Sequence, residues 1–394
     1  MRLAIISFEA RNGKTFKDQT INCIEQLTEY FDDSSSIFKS TVALNFFIPA
    51  ENNKEYYLQK EEILSCLPPD IKAGIPLAYL AQAPANKSKI SLEVHYIPEP
   101  DTVRLIPKSE SGIVYLVAKD DTGKKLVFAS GISPEKSFSD TIKDTEWVFG
   151  VMEKMLTKEG LDFSCIFRQW NYIEGIVEMD QRECMECQHY QLFNDVRSKY
   201  YSTAEFRNGY PAATGIGTRA GGVIVSFYAS DPGEMQIHSI ENPLQRAAFK
   251  YTDEVLIGDA AYTENPRSTP KFSRAKYLKN SLSSQVYISG TASIRAEKTI
   301  GVNDVIMQTR VTLNNISKLI HPETIARLDN NAQAIPEIQF YRVYIKNPED
   351  FEAVKQVCES YFPGIPGIFL ISDICRGDLL VEIEAFASSV TFEN

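Results

Sequence analysis

The sequence predicts an α+β protein: mixed sheets with helices on one face, built from three tandem copies of one unit. Three recurring signals carry that prediction. Apolar runs ending in Ser-Gly occur as Val127-Phe128-Ala129-Ser130-Gly131 and Val286-Tyr287-Ile288-Ser289-Gly290, with Ala4-Ile5-Ile6-Ser7 as a weaker first counterpart. A threonine at the start of an amphipathic helix recurs in Asp18-Gln19-Thr20, Lys143-Asp144-Thr145 and Met307-Gln308-Thr309. A closing apolar strand follows a proline-containing approach in each copy.

The elements follow in order. After the first strand, the helix is marked by Leu27, Met152 and Ile316 at one offset from the threonines, then by Phe31, Leu156 and Ile320 one helical turn on. Second strands are expected over residues 40–44, 167–173 and 341–345. The approaches are Ile75-Pro76-Leu77, Pro211-Ala212-Ala213-Thr214 and Ile365-Pro366-Gly367. Closing strands are expected over 90–94, 224–227 and 380–383, with a second helical segment before each. Turn-rich residues at 98–101 and 265–270 place the boundaries. The units are then 1–98, which is degenerate; 99–265, with an inserted helical segment; and 266–394. Three such units in one chain would form a pseudo-trimer, monomeric or weakly self-associating.

Composition narrows the function. A chain of 394 residues that is 43% hydrophobic can bury a large core. A formal net charge of −11 argues against nucleic acid or an anionic membrane surface as partner. The apolar run at Met1-Arg2-Leu3-Ala4-Ile5-Ile6 is too short for a secretion signal, and no stretch is long enough to cross a bilayer. Seven scattered cysteines fit a reducing cytoplasm. Cys184-Met185-Glu186-Cys187 lacks a second metal-ligand pair, so it reads as a polar helix with ordinary cysteines, and no metal is expected. Gly215-Ile216-Gly217-Thr218-Arg219-Ala220 leads into a strand, not a helix, which excludes a dinucleotide turn.

The stretch from Ser372 through Ala385 holds the candidate chemistry. Glu382 and Glu384 alternate onto one side of the last closing strand, where two acids cost stability unless solvated or used. In the other copies Glu382 corresponds to Glu93 and Ser226, and Glu384 to His95 and Tyr228. If three interfaces were once equal, at least one has lost its acid. Glu384 reads as structural.

A strand ending in Ser-Gly, a Gln-Thr helix start and a closing Val-Glu-Ile-Glu-Ala resemble the RidA/YjgF-type imine deaminases, homotrimers of a chorismate-mutase-like α+β unit. Their carboxylate-binding arginine has its place at Ile374 here, which argues against deaminase chemistry. A longer ordered series resembles the chorismatases, pyruvate-releasing relatives of that fold: Arg168-Gln169-Trp170-Asn171-Tyr172, Tyr210-Pro211-Ala212-Ala213-Thr214-Gly215-Ile216-Gly217, Glu241-Asn242-Pro243-Leu244-Gln245, Pro270-Lys271-Phe272-Ser273-Arg274-Ala275, Ile288-Ser289-Gly290-Thr291 and Cys375-Arg376-Gly377-Asp378-Leu379-Leu380-Val381-Glu382. It spans roughly residues 160–385.

This resemblance implies a cofactor-free enzyme that cleaves chorismate. Glu382 would be the general acid, with its pKa raised. A cysteine at position 375 goes with the subgroup that forms 3-hydroxybenzoate. Carboxylates of the substrate call for guanidinium partners: Arg274 first, Arg207 second, with Arg168 also a candidate. Tyr210, Thr214 and Gly215 would place backbone amides near an anionic oxygen. Arg376 would face the ligand or pair with Asp378. The rival readings are a hydrolytic chorismatase giving a dihydroxy-cyclohexadiene carboxylate, a 4-hydroxybenzoate-forming lyase, an imine deaminase and a non-catalytic small-acid-binding protein.

Overall fold

A sheet of four strands begins the chain. It contains β1 (Ala4–Glu9), β2 (Thr41–Phe47), β3 (Leu77–Leu80) and β4 (Ser91–Tyr96), with α1 (Phe16–Tyr30), α2 (Ser34–Ser40), α3 (Asn53–Cys66) and α4 (Pro69–Gly74) between them. A six-stranded sheet follows, made of β5 (Val103–Glu110), β6 (Ile113–Asp120), β7 (Lys125–Ile132), β8 (Ile166–Glu174), and, beyond the ribbon β9 (Met179–Arg182) and β10 (Met185–Gln188), β11 (Ala212–Thr218) and β12 (Val223–Ser230). Its helices are α5 (Thr141–Lys158) and α6 (His189–Tyr201). The third sheet, also six-stranded, holds β13 (Gln236–Ile240), β14 (Ala275–Lys279), β15 (Ser283–Ala292), and, after the small ribbon β16 (Ile294–Arg295) and β17 (Lys298–Thr299), β18 (Glu337–Ile345), β19 (Gly367–Ile371) and β20 (Val381–Val390). Its helices are α7 (Val305–Leu319), α8 (Pro322–Leu328) and α9 (Phe351–Tyr361). This computed structural model describes residues 1–182, 185–231, 236–256, 267–279, 283–329 and 334–390.

Without their added edge strands, the three sheets share one order: β1-β4-β2-β3, β7-β12-β8-β11 and β15-β20-β18-β19. In each, the closing strand runs antiparallel between the first and second strands, and the strand after the second helix joins parallel to the second. A parallel pair needs a crossover, and α3, α6 and α9 lie in those crossovers. Register ties the copies together. Glu93, Ser226 and Glu382 sit opposite Asn45, Trp170 and Tyr344, while His95, Tyr228 and Glu384 sit opposite Ala43, Arg168 and Arg342.

The three marker threonines repeat in detail. Thr20, Thr145 and Thr309 are fully buried, and each hydroxyl donates to the carbonyl four residues earlier, on Phe16, Thr141 and Val305, at 2.9, 2.5 and 2.7 Å. They lie one turn inside the helices, whose N-caps are Thr15, Asp140 and Asp304. Leu27, Met152 and Ile316 are each wholly buried beneath them.

The structure corrects the sequence reading at the proline approaches, at residues 236–240 and around Cys187. The proline approaches form strands β3, β11 and β19, because Pro76, Pro211 and Pro366 precede the ladder and leave it intact. Residues 236–240, placed in the second unit, pair with β14 in the third sheet; the boundary at 265 lies outside the described residues. The predicted polar helix around Cys187 is strand β10, and Cys184 is outside the described residues. Residues 212–218 are strand throughout. No helix among the described residues is long and apolar enough to cross a membrane.

Where the three sheets meet, charges are buried together. Arg342 on β18 bridges Glu93 on β4 (Nε to Oε2, 3.0 Å) and Glu384 on β20 (Nη1 to Oε1, 2.8 Å). Arg168 on β8 holds the other oxygen of Glu384, and Trp170 donates to Oε1 at 3.0 Å. His95 Nε2 meets Glu93 Oε1 at 2.7 Å, and its Nδ1 meets the Tyr228 hydroxyl at 2.7 Å. Two carboxylates balance two guanidiniums, so each buried charge has a partner.

Candidate active site

Glu382 reaches the cleft because β15 breaks register beside it. The ladder between β15 and β20 shifts between Ile288 and Thr291, at the Ser-Gly signature. Gly290 thereby lies against the Glu382 carboxyl: a Cβ on Gly290 would stand 2.0 Å from Glu382 Oε1. Only glycine leaves that space.

The same bulge joins the third sheet to the second. The Ala213 amide donates to Ser289 Oγ at 2.9 Å, and the Gly290 amide donates to Thr214 Oγ1 at 3.0 Å. Thr214 also bonds Arg168 and Glu384. Thr214 thus connects the central charge network to the glycine beside Glu382.

A cleft opens at this seam, lined by residues of both the second and the third sheet. Its charged lining among the described residues is Arg274, Arg376 and Glu382. Burial, together with the neighbouring Glu384 charge, pushes the Glu382 carboxyl up to about 8, against the pull of Arg274 and Arg168. The carboxyl is therefore protonated at neutral pH. Burial likewise pushes the Cys375 thiol up to about 12, with Glu382 adding to the effect. Cys375 stays a neutral thiol.

The predicted site residues separate into groups. Glu382, Cys375, Arg274 and Gly215 line the one cleft. Arg274 is 3% exposed, donates to Arg246 O and to the Tyr251 hydroxyl at 2.8 Å each, and leaves Nε without a protein partner. Gly215 serves through what it lacks: a Cβ there would stand 2.9 Å from Cε2 of Tyr190, a cleft residue. Arg168 and Thr214 lie behind the cleft, engaged with Glu384. Arg207 does not reach it; its side chain is 80% exposed and pairs with Glu205 at 2.7 Å. Tyr210 packs among Tyr201, Phe206 and Phe249, outside the lining. Arg376 lines the cleft while donating to Glu297 O at 2.8 Å, with its guanidinium 5.1 Å from the centre of the Tyr251 ring. Ile374 is buried and bridges to Ile216 on β11, so no cation occupies its place.

Sequence reasoning missed the α6 side of the cleft. Tyr190, Gln191 and Asn194 face it from this helix, and Tyr251 and Phe272 from the connecting segments. The available signal was Tyr190, Asn194 and Arg197 at i, i+4 and i+7, one stripe of a helix.

Comparison with known proteins fits this geometry. Residues 110–229 match the family model "Chorismatase FkbO/Hyg5-like, N-terminal", and residues 263–389 match "Endoribonuclease L-PSP", the model of the RidA/YjgF-type domain. A 3-hydroxybenzoate synthase of Streptomyces hygroscopicus is 32% identical over 269 residues, covering 66% of this chain and 73% of that protein. The chain belongs to the chorismatase family. A chorismatase of the same organism is 31% identical over 58% of this chain and 63% of its own length. A chorismatase crystal structure superposes with a TM-score of 0.69, covering 98% of this chain and 99% of that one at 20% identity, which places the fold. Family membership makes the protein an enzyme and sets the deaminase and non-catalytic readings aside.

Proposed function

We propose that this chorismatase-family enzyme acts on chorismate, releases pyruvate and gives 3-hydroxybenzoate. The observation that carries the reading is Glu382, a carboxyl raised to about 8 that opens on a cleft whose other charged groups, among the described residues, are guanidiniums. Such a cleft suits a dianion and holds the acid that an enol ether requires.

In this reading Glu382 donates its proton to the terminal methylene carbon of the enolpyruvyl group, and positive charge develops on the ether-bearing carbon. The ring C–O bond breaks as the neighbouring ring hydroxyl attacks the same ring carbon. Pyruvate leaves, and the hydroxyl proton returns to the Glu382 carboxylate. The arene-oxide-like product opens and loses a ring proton to become 3-hydroxybenzoate. Atoms balance without water, and no cofactor is needed, because acid and nucleophile come from Glu382 and the substrate. Arg274 holds the enolpyruvyl carboxylate. Cys375 fills the wall with a neutral thiol, a weak hydrogen-bonding group that is poor at positioning a water.

We also read the chain as three fused units whose matching interfaces have diverged, with β13 paired into the third sheet. The experiment is a chorismate digest with purified protein. Pyruvate and 3-hydroxybenzoate in equal amounts are expected, and Glu382→Gln should lower turnover by roughly 100- to 10,000-fold. Absence of pyruvate with folded protein would overturn the reaction, and the diol as main product would overturn the assignment of product.

A further inference from the structure

Among the described residues, Arg197 on α6 is a buried cation without a counter-charge. It is 1% exposed, and its Nε has no protein partner. Its guanidinium lies 5.4 Å from the Phe193 ring centre and 6.0 Å from that of Tyr201. Among the described residues no carboxylate pairs with it, and Lys271 nearby adds charge of the same sign. A buried, uncompensated charge costs several kcal/mol, roughly, unless an anion completes it. The charges at the centre of the molecule are matched two against two, whereas this one is left open.

Hydrogen bonding shows how that charge reaches the cleft. Arg197 Nη2 donates to Asn194 Oδ1 at 2.5 Å, which fixes the amide. The Asn194 NH2 group is then the end left for the cleft that Asn194 lines. Gln191 is fixed in the opposite sense. Its Nε2 is used by Asp195 Oδ1 at 2.9 Å and Ser268 O at 3.0 Å, so its carbonyl oxygen is the free end. The α6 wall therefore offers an amide donor backed by a full positive charge, with an acceptor one turn away.

We propose that Asn194, backed by Arg197, is a second carboxylate subsite of the cleft, separate from Arg274, and that it takes the ring carboxylate of a dicarboxylate substrate. The inference rests on the function proposed above. Arg274 lines the cleft together with Glu382 and its charge pulls on that carboxyl, so the carboxylate beside the protonated methylene is assigned to Arg274. The carboxylate farther along the substrate is left for α6. Asn194 contacts the ligand; Arg197 is a positioning residue that orients the amide and supplies charge from behind.

The test uses two ligands that do not turn over, measured by titration calorimetry on the full chain. One is 3-(carboxymethoxy)benzoate, which has both carboxylates; the other is phenoxyacetate, which lacks the one on the ring. Wild-type protein should prefer the diacid. Asn194→Leu should lower diacid affinity by roughly 10- to 100-fold, to the level of phenoxyacetate, and leave phenoxyacetate unchanged. Arg197→Met should do the same and Arg197→Lys should restore part of the preference, an ordering that a purely structural arginine would not produce. With chorismate, Asn194→Leu should raise KM and spare kcat. If Arg197→Met does not fold, Asn194→Leu decides alone. A folded Asn194→Leu variant that keeps the full diacid preference overturns the subsite. Because the readout is binding, a protein that releases no pyruvate yet shows the Asn194-dependent preference would refute the reaction and retain the subsite.

Discussion

Glu93 and Glu382 stand at matching positions in two closing strands, and their carboxyls are driven in opposite directions. Burial acts upward on both. At Glu93 the Arg342 guanidinium and then the His95 hydrogen bond outweigh it and hold the carboxyl down at about 2. At Glu382 the neighbouring Glu384 adds to burial, and the carboxyl rises to about 8. The third position, Ser226, bonds Ser130 Oγ at 3.0 Å and the Gly131 amide at 3.1 Å. In the proposed reaction, one of these three matching places handles a proton.

The raised carboxyl of Glu382 sets two pH dependences. The proposed reaction needs the acid form, so kcat should fall as pH rises through about 8. Stability follows linkage: the folded value lies above the ordinary 4.5, so its contribution is fully present below 4.5 and is lost as pH rises through 8. Glu382→Gln should therefore melt with wild type below pH 4.5 and several degrees, roughly, above it at pH 8. Thermal melts of both proteins across that range check the sign.

Glu93 gives the opposite slope. Its folded value lies below the ordinary 4.5, so its contribution is present above 4.5 and is lost as pH falls toward 2. Glu93→Gln should cost about 3 kcal/mol at pH 7, since it removes one side of a buried ion pair. In urea unfolding, the gap from wild type should narrow as pH falls below 4.5. Turnover per folded molecule should be unchanged.

Gly290→Val should leave the strand in place and displace the acid. The added Cβ would sit 2.0 Å from Glu382 Oε1, so the carboxyl must swing away from its position. A misplacement of that size lowers kcat by about 100-fold. Steady-state pyruvate release at saturating chorismate measures it, and wild-type kcat in a folded variant would contradict the placement of Glu382.

Cys375 should behave as a wall and not as a nucleophile. With its thiol at about 12, iodoacetamide at pH 7.5 should inactivate the enzyme far more slowly than it modifies free cysteine. Cys375→Ala should shift product from 3-hydroxybenzoate toward the diol, read by chromatography of the digest. An unchanged product ratio would remove Cys375 from control of the outcome.

Much of this architecture was readable from local pattern. The Ser-Gly runs, the threonine one turn into each main helix and the closing strands depend on neighbours within a few residues; the first recur in the second and third sheets, the others in all three. Long-range choices were not readable. Nothing near Arg168 in the sequence shows that its carboxylate partner, Glu384, lies 216 residues away. Arg207 sits in a motif-like context, yet its turn is at the surface, where Glu205 is the nearest acid. On α6 the residues Tyr190, Asn194 and Arg197 look like an ordinary polar face. Only the packing of the segment containing Ser268 and Pro270 against that helix makes it a wall.

The stitch formed by Ser289 and Thr214 has one more implication. It joins a wall from the middle of the chain to an acid near its end, so both halves of the site are made by one translation event and remain together at any dilution. A ring of identical subunits cannot alter one interface without altering the others. In the proposed reading of three fused units, covalent fusion removes that constraint and leaves one seam free to keep a proton donor, while its two counterparts hold an ion pair and a serine cluster.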